Sequence, residues 1–190
     1  MPVPTEMEVD QARTMALEAY ADTILPGEKR WPGDRAVAGV SRGGGAVASG
    51  ALEVLRSAEG GMAPALDALA DGLNEHARGY AAEAGIELDP QVPPFVALDY
   101  PHRVLLVQRL TDRGHPEREA WISLAMFSTI AFDAGSHTST VEALAAGHAG
   151  LNTIGFRPPD ADGLWRFGTY SYGRQLARPH PDTTPSGSPA

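Results

Sequence analysis

An uncharged stretch of thirteen residues, Ala120–Phe132, constrains the fold more than any other part of this sequence. Its only polar residues are Ser123, Ser128 and Thr129. An amphipathic surface helix keeps one polar face, and this stretch has none, so it predicts a helix that is buried on most sides. Pro116 suits the first turn of such a helix and Gly135 suits its end. We therefore expect a buried central helix over about 116–135.

The composition narrows the classes of protein to which this chain can belong. At 190 residues the chain is one domain of ordinary size. Its net charge of −9 argues against binding to nucleic acid, and the absence of cysteine excludes disulfides and thiolate chemistry. A membrane span needs about 20 apolar residues, more than the central stretch offers. The N-terminal residues carry no signal peptide pattern, from which we expect a cytoplasmic protein.

Helix signals dominate the rest of the sequence. Thr5 and Glu8 match a capping box that opens a helix running to about Leu25, and Ser139 and Glu142 match a second one. Further helices are predicted over 46–58, from Pro64 to Gly85, over 95–112 with a break at Pro101, and from Ser139 to about 147. Strand signals are almost absent. The fold class is therefore mainly α, a single-domain helical bundle around the central helix.

Two parts of the chain lack a helical period. Residues 26–45 are rich in turn formers and predict a long ordered loop, a feature that is usually functional in a compact domain. From Leu151 the sequence predicts an extended segment held by aromatic side chains. We expect a single helical domain over 1–178 and a disordered tail over 179–190, which is rich in Pro, Ser and Thr.

Four polar residues could line a catalytic pocket between helices: Tyr100, His102, Asp133 and His137. A general base oriented by a carboxylate needs groups of this kind. The simpler interpretation is that Asp99 caps a helix while Tyr100 and His102 pack against the body, and that Asp133 and His137 bond to helix ends. The spacing of Asp133 and His137 could ligate a metal, but Gly135 between them ends the helix and two ligands are too few, so we predict no metal site. His76 lies on the apolar face of its helix and His115 in a turn.

Aromatic residues with arginines nearby have the composition of interface anchors. They are Trp31 in the long loop and Trp165, Tyr170 and Tyr172 in the C-terminal segment. These side chains either pack against the rest of this chain or contact a second protein, and the sequence is compatible with both.

Several motifs, in the order in which they occur, resemble the gluconate 2-dehydrogenase subunit 3 family, the small subunit of GMC-type flavoprotein dehydrogenases. Residues 21–27 read ADTILPG, where that family typically reads ADTIIPG. Further matches are Pro32-Gly33-Asp34 with Ala36, Val37 and Gly39, then Phe95–Leu110, and finally Ile154–Pro159 with Phe156 in place of a tyrosine. The run EKRWPGDRAVAGVS also looks like that of an actinobacterial group of proteins of this size.

The resemblance implies an accessory subunit that binds no cofactor itself. It would bind, fold or stabilise a large GMC-type partner that carries FAD and oxidises an alcohol or a sugar. Asp22, Pro26, Trp31 and Arg35 match the family's best-preserved block and are expected in the docking or structural loop. Replacing Asp22 by alanine should then impair folding or assembly. The alternative is a cofactor-independent tailoring enzyme of specialised metabolism that uses the four-residue pocket.

Overall fold

The computed structural model describes residues 5–156, and that part of the chain is mainly α. No strand occurs within it. The helices are α1 (Glu6–Ile24), α2 (Ala51–Arg56), α3 (Leu66–Ala84), α4 (Pro94–Ala97), α5 (Tyr100–Thr111), α6 (Arg118–Ala134), α7 (Thr140–Ala145) and α8 (Ala149–Thr153). A single 3₁₀ turn, Ala63–Ala65, leads into α3. The predicted mainly α fold class is confirmed.

Local signals explain where several helices begin and end. Both predicted capping boxes form, with Thr5 and Glu8 opening α1 and Ser139 and Glu142 opening α7. α4 ends at Ala97 and α5 begins at Tyr100 with Pro101 in its first turn, and Asp99 caps α5 by accepting the His102 N–H at 3.2 Å. These ends follow from the sequence because each uses a side chain within three residues of the bond it makes.

The predicted helix over 46–58 is wrong in its first half. Residues 46–50 form turns, and α2 begins only at Ala51. Gly50 has a φ of +83°, a left-handed conformation that interrupts a right-handed helix. A Cβ at this position would also lie 2.3 Å from the His137 ring. The small residues that suggested a helix here instead allow a close crossing of the chain.

α6 matches the predicted central helix within two residues at its start and ends at Gly135, which has a φ of +56°. Its burial is one-sided, because Trp121, Leu124 and Ala131 are buried whereas Met126 is half exposed. α1 shares the centre, since it contacts α2, α3, α4, α5 and α6. The Tyr20 hydroxyl of α1 donates to the backbone carbonyl of Trp121 in α6 at 2.7 Å, which joins the two helices inside the core.

Within residues 5–156, no helix combines the length and the apolar character that a bilayer span requires. The long loop over 26–45 is present as predicted, with ordered turns and no helix. Most of the predicted aromatic segment and the predicted tail over 179–190 lie outside the described residues.

Candidate functional site

The loop over 26–45 leaves α1 and returns to the point where it started. The Ala46 N–H donates to the Leu25 carbonyl at 2.9 Å, and the Glu28 N–H donates to the Gly43 carbonyl at 2.8 Å. The two ends approach so closely that a Cβ on Gly45 would lie 2.3 Å from the Leu25 carbonyl oxygen. Glycine is therefore required where the ends of the loop cross.

Asp22 holds both arms of this loop from the last turns of α1. Its carboxylate is 1% exposed and accepts the Gly27 N–H at 3.1 Å and the Ala38 N–H at 2.8 Å. Burial raises the pKa of Asp22, and this effect outweighs the opposing effects of the two N–H groups and of Arg103. A buried carboxylate bonded in this way braces the loop.

Asp34 provides a second brace from within the loop. Its carboxylate accepts the Arg30 Nε–H at 2.7 Å and the Val37 N–H at 3.3 Å. Arg30 also makes two bonds to the Glu18 carboxylate on α1, at 2.6 and 2.7 Å. Burial alone would raise the pKa of Asp34, but the bonds from Arg30 and Val37 hold it below its ordinary value.

Arg103 is the third brace and reaches the loop from α5. Its side chain is 4% exposed, and its guanidinium donates to four backbone carbonyls at 2.7 to 3.1 Å. Two of them, those of Arg35 and Ala36, belong to the loop, and the other two, those of Val96 and Leu98, lie at α4. The four carbonyls satisfy the hydrogen-bonding capacity of this buried guanidinium. Because two of them belong to the loop and two lie at α4, Arg103 links the loop to the helical body.

The outer side of the same loop presents apolar side chains to solvent. Trp31 is 53% exposed, and the Arg30 guanidinium lies 4.7 Å from the centroid of its ring. Val40 is exposed to a similar extent. Arg35, half exposed, pairs with Asp89 at 3.0 Å. The loop is thus fixed on its inner side and displays an aromatic ring, packed against a cation, on its outer side.

These positions locate the residues predicted for partner binding. Asp22 is a buried brace, Pro26 is partly buried where the loop begins, and Trp31 and Arg35 lie on the outer side. The remaining predicted anchors lie outside the described residues; they are Trp165, Tyr170 and Tyr172.

Two of the four residues of the alternative pocket, Tyr100 and His137, line different cavities. Tyr100 lines a cavity of about 310 Å³ between the loop and α5, and His137 lines one of about 680 Å³ between α2 and α6. The two cavities share no residue. The His102 Nδ1 pairs with the Tyr80 hydroxyl at 2.8 Å, and Asp133 is exposed on α6. The packing role considered for His102 is the one observed.

A polar cluster that the sequence did not predict lies at the other side of α5. His76, His115 and Glu117 each place one potential metal-ligating atom within 4.8 Å of the others. They come from the middle of α3, from the turn after α5 and from the residue before α6. Because 41 positions separate His76 from Glu117, no local motif could have indicated the cluster.

Residues 5–156 thus form a mainly α body with a braced loop and a histidine cluster. The chain belongs to a family of unknown function (DUF5987), whose model matches residues 11–190. It has no significant match among curated proteins and none among solved structures.

Proposed function

We propose that this chain is a non-catalytic accessory subunit whose loop over 26–45 docks onto a GMC-type, FAD-dependent oxidoreductase that acts on an alcohol or a sugar. The observation that carries the proposal is the contrast between the two sides of the loop. Asp22, Asp34 and Arg103 fix its backbone, while Trp31 remains half exposed. The resemblance of residues 21–27 to the small-subunit family supplies the class of the partner.

Rigidity favours this role because a loop that is already ordered loses little conformational entropy on binding. Tryptophan and arginine are the residue types most enriched among energetically dominant interface residues. In this loop the two occur together, since the Arg30 guanidinium lies over the Trp31 ring and is held there by Glu18 and Asp34. A binding surface preorganised in this way suits a stable complex.

The proposal assigns FAD to the partner and not to this chain, and it places the complex in the cytoplasm. Co-purification from the source cells tests these points together. The tagged wild-type chain should elute from the cytoplasmic fraction with a larger yellow protein that shows the absorbance of oxidised flavin. A colourless chain recovered alone, or a complex found only with membranes, would contradict the corresponding part of the proposal.

The Trp31→Ala variant tests the docking surface itself. Loss of a central aromatic anchor costs about 2 kcal/mol or more, so affinity for the flavoprotein should fall by roughly 30-fold. Leu105→Ala is the matched control, because Leu105 on α5 is 47% exposed and Trp31 is 53% exposed. Equal capture of the flavoprotein by Trp31→Ala and wild type, with both folded by circular dichroism, would remove the loop from the interface.

A further inference from the structure

The cluster of His76, His115 and Glu117 lies away from the braced loop and is independent of the function proposed above. The His76 Nε2 and a Glu117 carboxylate oxygen are 2.7 Å apart. The rings of His76 and His115 meet edge to face with centroids 5.4 Å apart. Three side chains that carry nitrogen or carboxylate ligands for transition metals therefore converge from three separate parts of the chain.

Trp121 forms the buried wall behind this cluster. It is 1% exposed, and its ring meets the His76 ring edge to face at 5.8 Å. Its indole Nε1–H donates to the same Glu117 oxygen that pairs with His76, at 3.3 Å. Residues that surround metal ligands typically include a rigid hydrogen-bond donor that orients a ligating carboxylate. The tryptophan thus limits where the carboxylate can point.

The surroundings leave room for further ligands. A cavity of about 280 Å³ is lined by His76 and His115 together with Tyr80, Glu83 and Arg109. Arg109, which lines this cavity, is paired with Glu83 at 3.0 Å.

We propose that His76, His115 and Glu117 bind a divalent transition-metal ion of the zinc class. Two histidines and one carboxylate form a ligand set that zinc accepts, and three protein ligands leave a coordination position for water. The expected ion is Zn²⁺, because imidazole and carboxylate ligands suit it and the chain has no cysteine to favour softer metals.

Binding requires partly exposed side chains to move in two directions. The widest pair of ligand atoms, up to 4.8 Å apart, has to close by as much as about 1.5 Å. Two ligands on a tetrahedral zinc lie about 3.3 Å apart, so the 2.7 Å contact between His76 and Glu117 opens by roughly 0.6 Å. The His115 Nδ1 accepts the Glu117 N–H at 3.2 Å, and ligation through that nitrogen replaces this hydrogen bond. Side-chain exposure of 33% for His76 and 54% for Glu117 leaves space for both adjustments.

Calorimetric titration of the full chain with ZnCl₂ tests the site, with any purification tag removed and the protein first treated with a chelator. Wild type should bind one Zn²⁺ per chain with saturation and should show a raised Tm in its presence. His76→Ala and His115→Ala should each weaken binding by more than about 100-fold, since even residues behind metal ligands are worth 10- to 100-fold.

His102→Ala is the matched control. Its side chain is 36% exposed, close to that of His76, and its partners are Tyr80 at 2.8 Å and Asp99 at 4.0 Å, neither of which belongs to the cluster. This variant should bind Zn²⁺ as wild type does. Absence of saturable binding by wild type, or equal affinity in His76→Ala and His115→Ala, would overturn the proposal and leave the cluster as an ordinary hydrogen-bonded contact.

Discussion

The braced loop and the histidine cluster are both groups of polar side chains gathered from distant parts of the chain, but they differ in burial and in how fully they are bonded. Asp22, Asp34 and Arg103 are 1% to 4% exposed. Their carboxylate and guanidinium groups are bonded to the protein itself, largely to backbone groups. Such groups have little capacity left for a ligand, and their role is to hold the loop.

The histidine cluster has the opposite character. His76 and Glu117 remain substantially exposed, and they bond to each other and to a single tryptophan from the core. The contact between His76 and Glu117 can therefore be exchanged for a ligand while Glu117 keeps the bond from the buried indole N–H. A polar group that is buried and has all its hydrogen bonds made within the protein therefore stabilises the fold. Polar side chains that converge while some of their hydrogen-bonding capacity is unused are available to bind a ligand.

Arg103→Met gives the largest expected effect. The variant keeps most of the apolar side chain but leaves four carbonyls without their donor, so the free energy of unfolding should fall by about 4 kcal/mol in urea denaturation. Arg109→Met on the same helix is the control, because Arg109 is 60% exposed and its pair with Glu83 should contribute less than about 1 kcal/mol. Equal losses in both variants would mean that Arg103 does not brace the loop.

The two carboxylates of the loop should titrate on opposite sides of the ordinary aspartate pKa. In the folded protein the pKa of Asp22 is raised by burial, so Asp22 takes up a proton before it does in the unfolded chain. This difference increases stability as pH falls through the folded pKa towards the unfolded pKa. The pKa of Asp34 is lowered. Its stabilising term is present above the unfolded pKa and is lost as pH falls through the folded value.

Carboxyl NMR titration of the two residues measures this difference directly. The Asp22→Asn variant should lose the gain in stability that Asp22 provides as pH falls. The Asp34→Asn variant should lose the decrease in stability that Asp34 causes as pH falls. If both residues titrate below the ordinary value, the hydrogen bonds from Gly27 and Ala38 dominate over burial at Asp22, and the contrast between the two braces is lost.

The sequence predicted features that depend on neighbouring residues. The capping boxes at Thr5 and Ser139, the break at Pro101 and the end of α6 at Gly135 each use a side chain or a glycine close to the backbone that it shapes. The loop over 26–45 was predictable for the same reason, because its turn formers exclude a continuous helix. The turn at 46–50 was missed because the close contact of Gly50 with His137 is made across the fold.

The two polar groups could not be predicted because their members meet only after the helices have packed. Asp22 was named from a resemblance, but its bond to Ala38 spans 16 positions, and Arg103 reaches Ala36 across 67. The helical period predicts His76 on the apolar face of α3, but its side chain is 33% exposed and reaches Glu117. A helical period identifies the side of a helix that is buried and gives no information about which residue of another helix lies opposite.

The His76→Ala variant in the absence of metal has the smallest expected effect. It tests whether the histidine cluster, unlike the braces of the loop, contributes little to stability. A cluster that is available for binding contributes little to the stability of the free protein, so the free energy of unfolding should fall by less than about 1 kcal/mol, the range of exposed ion pairs. Urea denaturation of chelator-treated wild type and variant measures this difference. A loss as large as that of Arg103→Met would show that His76 braces α3 against α6. Side-chain exposure would then not distinguish the residues that brace the loop from the histidine cluster. Only the measured affinity for zinc would separate the two groups.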